Sequence, residues 1–367
     1  MNAALCGVSG NNLQGHALKR LNTLSGLICG MIRKGSSHLA DIGTGLPQDI
    51  DASSKQAAAK RFLENKWTGY EEHYLPFVKA FLAGILSLTS YRSNICLVID
   101  GSQIGNDHAT LMISVVWSGR GIPLCWFTKP GGKGHFTEQD HINLVKRAQE
   151  IIHPMLSPEM KVTLLGDGEF DGIELIKTCQ EASWYYVVRT ACDNWMYENN
   201  DPFQARNIRP CKTSNCFFIP NVEFTRKRFQ FVNFLCWFDR KKYEEPIFLI
   251  SNLKEAHDII DYYKQRFSIE RLFKNLKSSA FNIHKTRLKN ATAVSNLVMV
   301  AALAFLLSLA LALQFEHDKP LRKKIQRVRP DRNVLSFFSF AYELILYFLD
   351  KDIPFNFSFQ FSKNFDS

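Results

Sequence analysis

The order of apolar and polar positions divides the chain into a helical part, a strand-rich part and a second helical part. Residues 13–90 alternate apolar and polar positions at helical spacing, with breaks at glycine, serine and proline clusters. From residue 94 the pattern changes to short apolar runs bounded by turn residues, which is typical of strands. Long helices are predicted over about 252–280 and over 293–315.

The strand-rich part predicts a mixed α/β unit, because antiparallel-type strands are followed by strands that alternate with helices. Helices are expected over about 137–152, with Thr137 as N-cap, and over 171–181. Residues 190–250 break this alternation with further β-type segments. The predicted strands in this part are 95–99, 111–117, 122–127, 162–165, 184–188, 216–219, 229–238 and 247–250.

Composition and charge narrow the class of protein. The chain has 46% hydrophobic and 22% charged residues, which excludes a disordered chain, a collagen-like repeat and a coiled-coil rod. A formal charge of +10 indicates a polyanionic partner, either nucleic acid or an anionic membrane. Nine cysteines without a repeating spacing indicate a reducing, cytoplasmic location.

One apolar segment raises the alternative of a membrane protein. Residues 297–313 contain Ser308 as the only polar side chain, and this length is at the lower limit for a membrane-spanning helix. A single such segment late in a charged, Phe-rich chain is better interpreted as a central core helix. We therefore expect no membrane association.

Two aspartates follow predicted buried strands. Asp100 comes after an Ile-Cys-Leu-Val-Ile run, and Asp167 comes after Val-Thr-Leu-Leu-Gly. Functional groups in α/β proteins gather at the carboxyl ends of strands, although an aspartate after a strand often only begins a turn. Taken alone, each residue leaves both interpretations open.

A row of polar residues lies along the predicted helix 252–280. Tyr263, Arg266, Glu270 and Lys277 fall within a stripe about 60° wide at roughly 100° per residue, next to the apolar face. The alternative interpretation is a solvated ion-pair ladder, in which Arg266, Glu270 and Lys274 are i, i+4 neighbours. Such a ladder would be expected to lie away from the core, and this row borders it.

The row, written Tyr-x2-Arg-x3-Glu-x6-Lys, resembles the signature of DDE transposases of the insertion-sequence-four family. That family also has an aspartate after its first core strand and a second one in a later strand-end turn, places that Asp100 and Asp167 match. The strand at 185–189 resembles a family strand that ends in arginine, here Arg189. The resemblance covers roughly residues 20–340, nearly the whole chain.

The resemblance implies a ribonuclease H-like mixed-sheet core, interrupted by a β-rich insertion and preceded by a helical N-terminal domain. The expected segments are a DNA-binding helical domain (1–90), the first part of the core (91–189), the β-rich insertion (190–250), the second part of the core with the Glu270 helix (251–315), and a basic C-terminal segment with a helix (316–367).

The implied chemistry is phosphoryl transfer on DNA. Asp100, Asp167 and Glu270 are expected to be catalytic and to hold Mg²⁺, two ions per site, with Mn²⁺ as a substitute; carboxylate ligands suit these hard cations. The enzyme would cut inverted-repeat ends of double-stranded DNA and join their 3′-hydroxyls to target DNA. A homodimer would hold both ends, with the Phe-rich segment 334–349 as a contact.

The resemblance also implies DNA contacts. Arg266 and Lys277 are expected to hold phosphates, together with Arg189. Tyr263 is expected either to orient the terminal phosphate or simply to pack. One insertion aromatic, among Trp237, Trp195 and Phe248, is expected to stack on a flipped base.

Two alternative functions remain at this point: a ribonuclease H-like nuclease or resolvase that does not join strands, and a catalytically silent relative that acts as a repressor.

Overall fold

A ten-stranded sheet runs through the protein, and helices pack against it. The computed structural model describes residues 1–9, 13–47, 49–88, 93–132, 134–326 and 335–359. The strands are β1 (Asn94–Ile104), β2 (His108–Trp117), β3 (Arg120–Pro130), β4 (Lys161–Gly166), β5 (Tyr185–Arg189), β6 (Trp195–Glu198), β7 (Asp201–Gln204), β8 (Cys216–Phe224), β9 (Phe229–Trp237) and β10 (Ile247–Ser251). The helices are α1 (Asn2–Ser9), α2 (Gly15–Lys34), α3 (Leu39–Ile42), α4 (Ala52–Glu64), α5 (Tyr70–His73), α6 (Leu75–Leu86), α7 (Glu138–Ile152), α8 (Ile173–Glu181), α9 (Ala256–Gln265), α10 (Phe267–Lys274), α11 (Ala291–Gln314), α12 (Lys319–Ile325) and α13 (Phe337–Asp350).

The first half of the sheet has the order β3-β2-β1-β4-β5. Strands β1, β2 and β3 form an antiparallel meander, whereas β4 and β5 run parallel to β1. Parallel neighbours need a crossover connection, and α7 and α8 provide the two crossovers here. The mixed α/β class predicted from the sequence is confirmed, and this arrangement fits a ribonuclease H-like fold.

The segment after residue 190 extends the same sheet. Strand β10 pairs antiparallel with β5, and β9, β8, β6 and β7 follow in that order. The predicted β-rich character of 190–250 is therefore confirmed. Because the ladder between β5 and β10 is hydrogen-bonded, the added strands are rigidly joined to the first half of the sheet.

Helix α7 begins where the sequence predicts. The Thr137 Oγ1 accepts the N–H of Asp140 at 3.3 Å, and an Asp140 carboxylate oxygen accepts the N–H of Thr137 at 2.8 Å. This reciprocal capping box satisfies two N–H groups that the first turn of a helix otherwise leaves without partners. The helix bridges β3 and β4, so its start fixes the first crossover.

The helix predicted over 252–280 is not continuous. At Arg266 the backbone N–H bonds to the carbonyl of Tyr263, three residues back, which separates α9 from α10. After α10 the chain widens into a π-helical turn at Asn275–Ser279. Both changes alter the angle per residue, so the uniform stripe assumed from the sequence does not hold along the whole segment.

Helix α11 is the centre of the apolar core. It is long and apolar enough to cross a membrane, but its most apolar stretch is completely buried inside the protein. It packs against α2, α4, α13 and β3, and the Asn296 side chain donates to the carbonyls of Leu63 and Thr68 at 2.8 and 3.0 Å. The interpretation of this segment as a core helix is supported, and the membrane alternative is not.

Helix α2 makes backbone contact with the turn that follows α3. A Cβ added to Gly30 would lie 2.2 Å from the carbonyl oxygen of Ile42, and one added to Gly45 would lie 1.9 Å from that of Gly26. We refer to Gly26, Gly30 and Gly45 as the glycine contact. Side chains at these positions would force the two backbones apart.

The Phe-rich C-terminal helix is used inside the chain. Helix α13 packs against α11 and α2, and its apolar side chains are buried there: Phe338, Phe340, Ala341, Leu344, Ile345, Phe348 and Leu349. This face is therefore not available for the dimer contact that the sequence suggested for 334–349. Residue 334 of that segment, and 327–334 and 360–367 of the predicted basic C-terminal segment, lie outside the described residues.

Candidate active site

The pairing of β1 with β4 brings two carboxylates together. The parallel register places Val98 opposite Leu165, and continuing it by two residues places Asp100 opposite Asp167. Neighbouring strands lie about 4.8 Å apart, and residues separated by two positions share a face of the sheet. The two aspartates are therefore neighbours across the β1–β4 pair: Asp167 directly follows the last residue of β4, whereas Asp100 lies within β1, which continues to Ile104 beyond the end predicted from the sequence.

Backbone N–H groups orient both aspartates. Asp100 is buried, and its Oδ1 accepts the N–H of Gly101 at 2.8 Å. Asp167 is half-buried, and its Oδ1 accepts the N–H of Glu169 at 2.9 Å. One oxygen of each carboxylate is thus tied to the main chain.

Glu270 reaches the same region from a helix. It lies on α10, which packs against β1 and β3, and about half of its side chain (49%) is exposed. Its Oε1 accepts a hydrogen bond from the Arg266 guanidinium at 2.6 Å. The Arg266–Glu270 ion pair that a solvated ladder would need is therefore present. Among the described residues, no ion pair continues from Glu270 to Lys274.

Arg266 is an internal cation rather than a surface one. Its side chain is only 10% exposed and lies against the rings of Phe267 and Tyr263, 4.6 and 5.7 Å from their centroids. Burial lowers the pKa of Arg266, but Tyr263, Glu270 and Asp100 together raise it above its ordinary value. The guanidinium stays charged and lies within electrostatic reach of two of the three predicted catalytic carboxylates.

Tyr263 and Arg189 border this cluster on the β5 side. Tyr263 is 2% exposed, and burial raises the pKa of its hydroxyl, whereas Arg266 and Arg189 lower it. Asp167 also acts on that hydroxyl, which places Tyr263 near the second aspartate. Arg189 ends β5 and is exposed. The structure thus brings Tyr263, Arg189 and Arg266 together, with Tyr263 as a packed residue.

Lys277 reaches the cluster from the π-helical turn. Its Nζ donates to the Oγ of Ser102 at 3.2 Å, and Ser102 lies two residues beyond Asp100 on β1. The carbonyl of Lys277 is hydrogen-bonded by the imidazole of His284. π-Helical turns often occur at functional sites, and this one directs a cation to the edge of the strand that carries Asp100.

A third aspartate near the site has a structural role. Asp171 accepts hydrogen bonds from the Thr190 hydroxyl at 2.7 Å and the Asn194 amide at 3.0 Å. Burial raises the pKa of Asp171, and these hydrogen bonds partly offset that rise. Its carboxylate joins the loop after β4 to the loop after β5, which favours Asp167 as the functional residue.

The aromatic residues proposed from the sequence for base stacking are largely covered. Trp237 is 4% exposed and packs edge-on against Tyr243, with ring centroids 5.4 Å apart. Phe248 is buried and stacks on Phe234, and Trp195 lies under the guanidinium of Arg226. The geometry does not support Trp237 as a base-stacking residue.

Two exposed phenylalanines in the same region escaped the sequence reasoning. Phe231 is 66% exposed on β9, and Phe217 is 46% exposed on β8. Alternation along the strand could have indicated this exposure. Phe231 lies on the same face of β9 as the polar Asn233, whereas Val232 and Phe234 lie on the opposite, buried face. The other described aromatic side chains of 190–250 are half-buried or buried.

Comparison with solved structures gives weak likenesses. The chain is similar to two structures of Aquifex aeolicus Argonaute, each at 12% identity, with TM-scores of 0.26 and 0.25, covering 56% and 64% of this chain and 28% and 34% of Argonaute. It is also similar to Marinitoga piezophila Argonaute in complex with 5′ OH guide RNA and target DNA, at 13% identity and a TM-score of 0.23, covering 67% of this chain and 34% of that one. The chain thus spans about a third of those proteins.

Comparison with sequences and families is more specific. No curated protein matches the sequence. The family described as the transposase DDE domain matches residues 108–307, which is more than half of the chain. This span runs from β2 into α11 and includes Asp167, Tyr263, Arg266, Glu270 and Lys277. The chain therefore belongs to the transposase DDE domain family.

Proposed function

We propose that this protein is a DNA transposase that cuts the inverted-repeat ends of its element and joins the 3′-hydroxyl ends to target DNA. Family membership supports a metal-dependent, DNA-cutting transposase. The observation that supports the proposal is the β1–β4 register, which pairs Val98 with Leu165 and, when continued by two residues, pairs Asp100 with Asp167; α10, which bears Glu270, packs against β1. The finer assignment to the insertion-sequence-four family rests on the Tyr263–Lys277 signature.

The donor set fits the divalent cations that DDE transposases generally use. Asp100, Asp167 and Glu270 offer carboxylate oxygens only, which favours Mg²⁺ or Mn²⁺ over zinc. Within the described residues, however, no group of three or more acidic, His or Cys side chains is already gathered around one point. Glu270 instead accepts from Arg266, so its carboxylate would have to turn toward the aspartates to join them.

A pair of divalent cations bound there would activate the attacking oxygen and stabilise the leaving oxygen of an in-line phosphoryl displacement. The chain's own residues would position the reactants. Asp100 and Asp167 are held by backbone N–H groups, and the Arg266 guanidinium orients the Glu270 carboxylate by a hydrogen bond. Lys277 and Arg189 lie on either side of this cluster and would bind the DNA phosphates.

We assign DNA binding beyond the site to the helical residues 1–90, to the basic runs 226–228 (Arg-Lys-Arg) and 240–242 (Arg-Lys-Lys) of the insertion, and to the basic C-terminal segment. This assignment rests on net charge, because a basic balance of +10 favours a polyanionic partner. The proposed location is the cytoplasm, on the bacterial nucleoid when DNA is bound. A nuclease or resolvase that stops after cutting is the second candidate, since the same carboxylates would serve it.

Strand cleavage by the purified chain should depend on divalent metal. DNA that carries the element's own ends should be nicked with Mg²⁺ or Mn²⁺ and left intact with EDTA, because three converging carboxylates repel one another without cations. Gel separation of end-labelled DNA measures this. A strand-transfer product in the Mg²⁺ reaction distinguishes the transposase from the nuclease, and undiminished nicking in EDTA would refute the metal mechanism.

The active assembly is expected to be a homodimer, because two ends must be joined at one target. Native mass spectrometry of the chain with two end duplexes should show two protein copies per complex. A single copy on both ends at full activity would contradict this expectation. The dimer contact should lie outside the buried face of α13, which the chain already covers.

A further inference from the structure

A cavity of about 580 Å³ lies on the far side of α10 from Glu270. Its walls are the turn between β2 and β3, the helix α10 with the following π-helical turn, and the start of α13. The lining residues of α10 are centred roughly 130° around the helix from Glu270, and Lys274 at the cavity rim is the one nearest to Glu270, about 40° away. This cavity is therefore separate from the carboxylate cluster.

The charged side chains that line the cavity are basic. Arg120, Arg271 and Lys274 line it, and none of its described lining residues is acidic. Arg271 is held at the rim by a 2.5 Å hydrogen bond to the carbonyl of Gly119, and Arg120 lies 4.7 Å from the ring of Phe337. Lys274 makes no ion pair within the part of the chain that the structure describes. Three cations around one hollow attract an anion.

A buried hydroxyl in the wall lacks a partner. Ser268 lines the cavity and is 0% exposed, and its Oγ has no hydrogen-bond partner among the described residues. Such a group is unfavourable in a folded protein unless a ligand or water supplies the missing hydrogen bond. An oxygen-rich anion in the cavity would supply it.

The start of α13 adds further donors. Ser336 caps this 14-residue helix, accepting the N–H of Ser339 at 3.1 Å, and both serines line the cavity. The N-terminus of a helix carries a partial positive charge and favours phosphate oxygens. The cations, the hydroxyl of Ser268 and the start of α13 all favour the same kind of ligand, an anion with several oxygen atoms.

We propose that this cavity binds a phosphate group, held by Arg120, Arg271 and Lys274 and by the hydroxyl of Ser268. Two sources carry this chemistry: a backbone phosphate of bound DNA, and a free phosphate-bearing anion. The DNA source rests on the proposed function, and it would extend the DNA contact around α10, from the face that bears Glu270 to the face that lines the cavity. The free-anion source does not depend on it.

The test uses the full chain and its Lys274→Gln variant in two binding assays. Titration calorimetry with pyrophosphate at fixed ionic strength measures the free anion, and fluorescence anisotropy of a short duplex over a salt series measures DNA. Lys274→Gln should weaken the occupant's binding about tenfold, and for DNA it should reduce the salt slope by about 1. Lys351→Gln, an exposed lysine at the opposite end of α13, should change neither.

Ser268→Ala separates binding from stability. Because its hydroxyl has no partner to lose, the variant should keep its melting temperature while binding the anion more weakly. A loss in the DNA assay assigns the cavity to a backbone phosphate, and a loss confined to pyrophosphate assigns it to a free anion. Unchanged binding by both variants in both assays would overturn the proposal. Neither assay needs cleavage, so an inactive enzyme would leave the result readable.

Discussion

Glu270→Gln is expected to abolish strand cleavage while leaving the binding of element ends almost unchanged. The substitution removes the charge that a divalent cation requires, and cleavage should fall by at least roughly a thousandfold. The glutamine amide oxygen can still accept from Arg266, so the fold around α10 should persist. DNA binding should stay the same or tighten slightly, because repulsion toward phosphates decreases. Single-turnover cleavage and anisotropy with the same end duplex measure both properties.

Lys277→Ala is expected to affect DNA binding, the property that Glu270→Gln should leave almost unchanged. It deletes one phosphate contact, so binding should weaken and the slope of log K against log salt should decrease by about 1. Asp261→Asn is the matched control for charge removal, since Asp261 is exposed on α9 and pairs with Lys264 on the same helix at 2.8 Å. If Glu270→Gln still cuts DNA, or if it unfolds the protein, the Arg266–Glu270 pair is a structural ion pair and the catalytic site lies elsewhere.

Gly30→Ala should be among the most destabilising single substitutions in the chain. Its Cβ would lie 2.2 Å from the carbonyl oxygen and 2.8 Å from the carbonyl carbon of Ile42, and both are backbone atoms that cannot rotate away. The glycine contact would have to open, which should lower the free energy of unfolding by about 3 kcal/mol or more. Chemical denaturation followed by circular dichroism measures the change.

Gly7→Ala is the matched control for that experiment. Gly7 also lies in a helix, but a Cβ added there meets nothing within 4 Å. Alanine favours helices over glycine, so this variant should be neutral or more stable by up to about 1 kcal/mol. Equal stability of Gly30→Ala and Gly7→Ala would show that the backbones of α2 and the turn after α3 are not in contact.

The sequence predicts most of this fold where local signals decide the structure. Thr137 followed by Asp140 gives a capping box, and the apolar runs before Asp100 and Asp167 give buried parallel strands. The β-type pattern of 190–250 also predicts β8, β9 and β10, but it misses the short strands β6 and β7. These elements depend on neighbouring residues, which the sequence displays directly. What the pattern does not reveal is that β10 joins those strands to β5, because that pairing is set by distant residues.

The sequence indicated which residues belong to the candidate site, but it did not predict how exposed each side chain is. Tyr263, Arg266, Glu270 and Lys277 were expected on one border of a straight helix, but the break at Arg266 and the π-helical turn give each a different exposure. Trp237 was one of the candidates for stacking on a flipped base, yet it is buried and packs against Tyr243. Burial of this kind depends on what packs against a strand, which alternation along one strand cannot specify.

The buried position of α11 determines when the chain can fold during its synthesis. Helices α2 and α4 emerge from the ribosome well before residues 291–314, the helix against which they pack. Until then the faces of α2 and α4 that contact α11 lack that partner and are exposed to chaperones and to aggregation. A growing chain therefore cannot complete its N-terminal half early. Translation of α11 is the step that lets α2 and α4 pack in their native arrangement, and α13 can join them only later.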